Sequence, residues 1–208
     1  VRVVCLADLH GYLPEVPPCD VLLVAGDICP TGDERPETQR TWLHSTFARW
    51  LADVPAATVI GVAGNHDFVG ETDPSALRDL DWHYLQDESI EIDGLSVYGS
   101  PWTSRFQEWA FMLTEEELSR CWEGIPEGTD VLCVHSPPAG YGDWISGHHI
   151  GSPSLLKAID ARAPKLCVFG HVHQGYGRWQ RGTTELVNAA HCDMEYLPAH
   201  PPVALELG

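Results

Sequence analysis

The stretch KLCVFGHVH, residues 165–173, runs an apolar segment directly into two histidines one residue apart. Leu166 to Phe169 form an unbroken apolar run, the pattern of a strand buried on both faces. Such a strand cannot end on His171 and His173 at no cost. Buried imidazoles need hydrogen-bond partners, or they coordinate something. The rest of the chain decides which.

Four other apolar β-type runs occur: VRVVCLA (1–7), VLLVA (21–25), TVIGVA (58–63) and DVLCV (130–134). Each is followed by polar groups of one kind. Asp8 and His10 follow the first, Gly26-Asp27 the second, Gly64-Asn65-His66-Asp67 the third, and His135 the fourth. Helical patterns lie between them. Residues 36–52 place Leu43, Phe47, Trp50 and Leu51 on one face after Pro36. Thr114 and Glu117 form a capping box, and Ser152 with Pro153 opens another helix. Residues 89–100 read as a hairpin turning on Asp93-Gly94, and 183–190 as a further strand. The pattern is α/β: two packed sheets flanked by helices in a single domain, 1–208. Open α/β sheets build their sites at the carboxyl ends of strands, where all five polar groups fall.

Composition narrows the chemistry. The chain has 208 residues, 30 acidic against 12 basic, and a formal charge of −18. That disfavours an extended nucleic-acid surface, which needs a basic face. Nucleic-acid ends remain compatible, as does a small anion whose charge is met by local cations. No apolar run is long enough to span a membrane. The first residues lack a signal-peptide layout, so a cytoplasmic protein is expected. Seven scattered cysteines, none in a C-x-x-C pair, read as reduced thiols, several inside strands.

Seven side chains are candidate metal ligands: Asp8, His10, Asp27, Asn65, His135, His171 and His173. In extended chain, residues i and i+2 face one side, so Asp8 converges with His10 and His171 with His173. One bridging carboxylate among seven ligands gives eight bonds, four for each of two ions. Oxygen and nitrogen donors without thiolate suit divalent transition metals, manganese first, with Fe, Zn, Co or Ni as alternatives. Gly-Asp recurs at 32–33 and 142–143, and Asp81-Trp82-His83 repeats the D-x-H spacing, but none follows a long apolar run.

The series D-x-H (8–10), G-D (26–27), G-N-H-D (64–67), strand-end His135 and G-H-x-H (170–173) resembles the signature of calcineurin-like metallophosphoesterases. YGSPWTSRFQEWAF (98–111), IPEGTDVLCVHSPPAGYGDW (125–144), PKLCVFGHVHQGYG (164–177) and VNAAHC (187–192) are similar to the metallophosphoesterase-domain-containing branch of that family. The resemblance implies a four-layer α-β-β-α sandwich of two mixed sheets holding two metals. It implies Asp8, His10, Asp27 and His173 on the first ion, and Asp27, Asn65, His135 and His171 on the second. It places His66 at the phosphate or leaving group, with Asp67 beside it as the second catalytic candidate. The implied activity is phosphodiester hydrolysis by metal-activated hydroxide, on small or nucleotide phosphoesters, with monoesters as secondary substrates. Some animal members carry glycine at the first histidine of G-H-x-H and are weakly active; His171 is intact here. Val134 stands where many relatives carry glycine. The alternative is a catalytically weak nucleotide-binding or scaffold protein on the same fold.

Candidate substrate contacts are His148, His149, Asn188 and Trp102. Arg105, Arg178 and His191 are further candidates. The aromatic group Trp102, Phe106, Trp109 and Phe111 suits either base stacking or packing of an inserted hairpin. Nothing in the sequence specifies an oligomeric state.

Overall fold

A computed structural model describes residues 1–208. Its strands, numbered along the chain, form two large sheets. The first holds β1 (Arg2–Leu6), β2 (Cys19–Ala25), β3 (Ala56–Val62), β4 (His83–Tyr84) and β15 (Val203–Glu206), in the order β15-β1-β2-β3-β4. Only β15 runs antiparallel to its neighbour. The second holds β5 (Glu88–Ile92), β6 (Leu95–Ser100), β9 (Val131–Val134), β12 (Leu166–Phe169), β13 (Gly177–Arg181) and β14 (Thr184–Asn188), in the order β13-β14-β12-β9-β6-β5. Its four inner strands are parallel and its edges antiparallel. Two ribbons complete the set: β7 (Thr103–Ser104) with β8 (Met112–Leu113), and β10 (Trp144–Ile145) with β11 (His148–His149).

The two-residue period of a strand sorts the apolar runs into layers. Val21, Leu23 and Ala25 of β2 join Val3, Cys5, Cys133 and Val168 in a core between the sheets. Leu22 and Val24 face the other way, onto Leu43, Phe47, Leu51, Val69 and Leu77. These last belong to α2 (Ala48–Asp53), α3 (Phe68–Thr72), α4 (Ser75–Arg78) and the turn joining α2 to the preceding α1 (Pro36–Trp42). On the outer side of the second sheet, Leu132, Cys167 and Phe169 pack under α5 (Glu115–Glu123) and α6 (Pro153–Arg162) through Leu118, Trp122, Leu155 and Ile159. The architecture is a four-layer α-β-β-α sandwich. Strands sandwiched this way must be apolar on both faces, which is why their sequences read as continuous runs.

Local signals hold at the helix starts and the hairpin. Both halves of the Thr114–Glu117 capping box are made, and Ser152 Oγ accepts the Leu155 N–H at 3.1 Å. Asp93 and Gly94 both have positive φ, 51° and 79°, as a tight hairpin turn requires. The expected helix over 36–52 is interrupted by a π-helical turn, Leu43–Phe47. Leu43, Phe47 and Leu51 recur every four residues, and in an α-helix that spacing drifts about 40° per step. The wider turn keeps all three buried. The strand read over 183–190 ends at Asn188; beyond it, Ala189 and His191 bond to Ala7 and join the two sheets beside Asp8. All seven cysteines are unpaired. No helix is long and apolar enough to cross a membrane.

Candidate metal centre

The loops leaving β1, β2, β3, β9 and β12 converge, and all seven candidate ligands meet there. The convergence of Asp8 with His10 does not come from extended chain, because β1 ends at Leu6. Asp8, His10, Asp27 and His171 instead adopt left-handed backbone, with φ of 51°, 45°, 53° and 68°. Asp and His tolerate this region better than most residues, yet each such position costs about 1–3 kcal/mol. Four of them in one cluster mark a site whose geometry the fold enforces. Gly170 has its own steric reason: a Cβ there would overlap Asp8 Oδ2.

In one half of the cluster, His173 Nε2 lies 3.1 Å from His10 Nε2 and 3.4 Å from Asp8 Oδ1. In the other, Asn65 Oδ1 lies 2.9 Å from His135 Nε2 and 2.7 Å from His171 Nδ1. Asp27 Oδ2 stands between the halves, 3.4 Å from His135 Nε2 and 3.8 Å from His10 Nε2. Its other oxygen accepts the His66 N–H at 2.7 Å. Asp8 also reaches both halves, since it groups with His10 and His173 and equally with Asp27 and His135.

Ring tautomers follow from the backbone. His135 Nδ1 donates to the Ala25 carbonyl at 2.8 Å, and His173 Nδ1 donates to the Asp193 carbonyl at 2.6 Å. Each therefore turns Nε2 into the cluster. Carboxylate oxygens, an amide oxygen and imidazole nitrogens then converge, with Nε2 of His135 and His173 facing the carboxylates of Asp27 and Asp8. Burial opposes charge on Asp27, but His135 and His66 hold its carboxyl well below the usual range; His173 holds Asp8 low in the same way. Burial pushes His135 and His173 down, yet Asp27 raises the first to about 9 and Asp8 raises the second to about 9. Burial takes His10 to about 4 and His171 to about 3, so both are neutral and free to offer lone pairs. A divalent cation would replace the protons on His135 and His173 Nε2. The donor set fits a pair of such ions.

His66 and Asp67 part company. His66 Nδ1 lies 3.0 Å from Glu34 Oε1, and its ring borders the cavity over the cluster. Asp67 is fully buried and accepts backbone N–H groups from Gly64 at 2.8 Å, Cys29 at 2.8 Å and Ile28 at 3.0 Å. Its oxygens hold the loops after β2 and β3 together, and it is not among the residues lining the cavity. Gln39 adds a second tie, donating to the His66 carbonyl at 2.7 Å and accepting the Val69 N–H at 2.9 Å.

The expected substrate contacts are also elsewhere. His148 and His149 are exposed on β11, where His149 pairs with Asp143 at 2.6 Å. Asn188 donates to the Val172 and Gly142 carbonyls and accepts the Ala190 N–H, so its amide is spent on structure. Trp102 donates to Asp87 at 2.7 Å and packs on Phe111. Arg178 pairs with Glu185, and His191 Nδ1 lies against the His200 carbonyl. None of these lines the cavity. Ser104, Arg105, Phe106, Trp109, Ile145, Ile150, Val172, Met194 and Tyr196 do, together with Asp27, Asn65, His66, His171 and His173. Tyr196, at φ 59°, sets its ring edge-on to His10 at 4.7 Å and His173 at 5.3 Å. Glu34 and Tyr196 were not marked by sequence pattern, since neither follows an apolar run.

Known proteins resemble this chain in sequence and in fold. A human protein, metallophosphoesterase domain-containing protein 1, is 34% identical over 99% of this chain and 71% of its own length. One crystal structure aligns over 100% of this chain and 99% of its own, with a TM-score of 0.66 at 17% identity. TT1561 of Thermus thermophilus aligns over 90% and 88%, with a TM-score of 0.55 at 14% identity. The calcineurin-like phosphoesterase profile matches residues 1–175, which contain the whole ligand cluster. On that match and the full-chain relative, this chain belongs to the calcineurin-like phosphoesterase family, whose fold carries metal-dependent phosphoester hydrolysis.

Proposed function

We propose that this protein is a dinuclear-metal phosphodiesterase acting on small or nucleotide phosphodiesters, with monoesters as weaker substrates. The observation that carries the reading is Asp27 Oδ2 standing between two nitrogen- and oxygen-donor groups in a buried cluster. Asp8, His10, Asp27 and His173 would hold one ion, and Asp27, Asn65, His135 and His171 the other, with manganese the first candidate. Such ions lower the pKa of water to near neutrality and draw charge from phosphoryl oxygens.

The chain's own groups supply the rest. Glu34 fixes Nδ1 of His66, leaving Nε2 as the free ring nitrogen at the cavity. From there His66 would give a proton to the departing ester oxygen. Asp27 Oδ1 and Gln39 hold the His66 backbone on either side, so the imidazole needs little reorganisation during reaction. Arg105 is the one lysine or arginine lining the cavity and would meet a non-reacting phosphate oxygen. With so little fixed positive charge, a singly charged diester suits the cavity better than a polyanion. The cytoplasm is the proposed compartment.

The test is steady-state hydrolysis of bis(p-nitrophenyl) phosphate and p-nitrophenyl phosphate across Mn, Fe, Co, Ni, Zn and Mg. Metal-dependent turnover with a higher kcat/KM for the diester is expected. Ligand binding without turnover under every metal would favour a scaffold protein instead.

A further inference from the structure

Five large apolar side chains stand exposed on this acidic protein: Tyr12, Phe106, Trp144, Met194 and Leu197. Four of them line recesses beside the metal-binding cluster. Phe106 and Met194 line the cavity above it, and Trp144 precedes the wall residue Ile145. Tyr12 and Leu197 line a second recess, which shares Tyr196 with the first. Exposed apolar side chains scattered singly need no explanation, but Phe106 and Met194 stand exposed at the rim of one apolar-walled cavity, which marks a binding surface.

Above the ligands the cavity walls are mainly apolar side chains. Phe106 and Trp109 come from the segment between β7 and β8, Ile145 and Ile150 from the β10–β11 ribbon and its exit, and Met194 from the segment after β14. Trp109 and Phe106 lie 5.8 Å apart between ring centroids, and Trp109 continues onto the His66 ring at 4.9 Å. Arg105 has no carboxylate partner, and its side chain makes only one long bond, 3.4 Å to the Met112 carbonyl. The enclosed volume is about 300 Å³, at the lower end for a small-molecule site. Beyond the metal ions that the cluster would hold, the lining carries one cation, Arg105, and an apolar slot formed by Phe106, Trp109, Ile145, Ile150 and Met194.

We propose that the slot is a subsite for an apolar, planar group carried on phosphorus, so that the preferred substrate is an aryl-type phosphodiester bearing a single negative charge. The proposal rests on the phosphoester-hydrolase reading for its reaction: water adds hydroxyl to phosphorus, one ester P–O bond breaks, and the departing alcohol or phenol keeps the remaining proton. The subsite itself is tested without turnover.

The experiment is calorimetric binding of phenylphosphonate and methylphosphonate to the manganese-loaded protein. They share a charged head and differ only in the group on phosphorus. Phenylphosphonate should bind about tenfold tighter or better, the discrimination an apolar pocket gives for a few carbons. In the double variant Ile150→Ala, Met194→Ala that ratio should fall toward one with manganese content unchanged, whereas Met194→Leu should keep it. Equal affinity for the two phosphonates in the unmodified protein would overturn the subsite, even if bis(p-nitrophenyl) phosphate is hydrolysed. A phenyl preference in a protein that hydrolyses no phosphoester would uphold the subsite and sink the enzymatic reading. A ratio unmoved by the double variant would also overturn it, since the group would then be held elsewhere.

Discussion

His10 Nε2 and His173 Nε2, 163 residues apart in sequence, face each other at 3.1 Å in the protein interior. The Asp193 carbonyl takes the Nδ1 proton of His173, and His10 Nδ1 has no partner at all. Two imidazoles so placed form one edge of a coordination shell, since bonds of about 2.1 Å put neighbouring ligand atoms roughly this far apart. The ligand atoms come from loops after β1, β2, β3, β9 and β12, so the full donor set exists only in the folded chain. Metal should therefore stabilise the fold. Chelator-treated protein is expected to melt several degrees below the manganese-saturated form in calorimetry, because an ion that binds only the folded state adds its binding energy to stability. Identical melting temperatures with and without metal would contradict this.

Asp27 should be the least replaceable ligand. Asp27→Ala is expected to lose both ions and all measurable turnover while circular dichroism shows a folded chain. Asp33 pairs with Arg35 on the surface, and Asp33→Ala should leave metal content and kcat unchanged. Near-normal metal content in Asp27→Ala would show that the second motif had been misassigned.

Much of this site was legible because its ligands follow directly on apolar runs, and a buried strand announces itself over four to seven residues. The β–α alternation, the capping box and the Asp93-Gly94 turn were legible for the same reason: their signals are local. What was not legible depends on contacts between distant segments. Glu34 sits in an acidic loop where nothing distinguishes it from Asp33 or Glu37, yet it alone reaches His66. Asp67 lies beside His66 in one motif, but a positive-φ turn at Asp27 brings Ile28 and Cys29 to its oxygens. Asn188 closes a strand near the ligand-bearing strand ends, and only the carbonyls of Gly142 and Val172 show that its amide is already used. Edge strand β4 has only two residues, and β15, as long as β9 and β12, buries alternate residues and so lacks their continuous apolar run.

The Glu34–His66 pair separates chemistry from structure. His66→Ala should lower kcat by about 10²–10⁴-fold, the usual worth of a positioned proton donor. Glu34→Gln should lower kcat less, with KM and metal content unchanged, because it orients the ring without touching substrate or ligands. A Glu34→Gln variant that loses metal instead would place Glu34 in the ligand scaffold.

Asp67→Ala leaves three buried N–H groups without an acceptor. The loss should be about 3 kcal/mol or more, measured by urea denaturation, since each removed bond to a charged acceptor costs on that order. A variant of normal stability with abolished turnover would return Asp67 to the catalytic role that its place in the motif suggested.

Anomalous diffraction from crystals soaked in manganese tests the central claim most directly. Two peaks per chain are predicted, about 3.5–4 Å apart as in other two-metal hydrolytic sites, with the Asp27 carboxylate between them. His10 and His173 should flank one peak, and Asn65, His135 and His171 the other. A single peak, or two peaks with Asp27 bound to only one, would contradict a shared dinuclear centre.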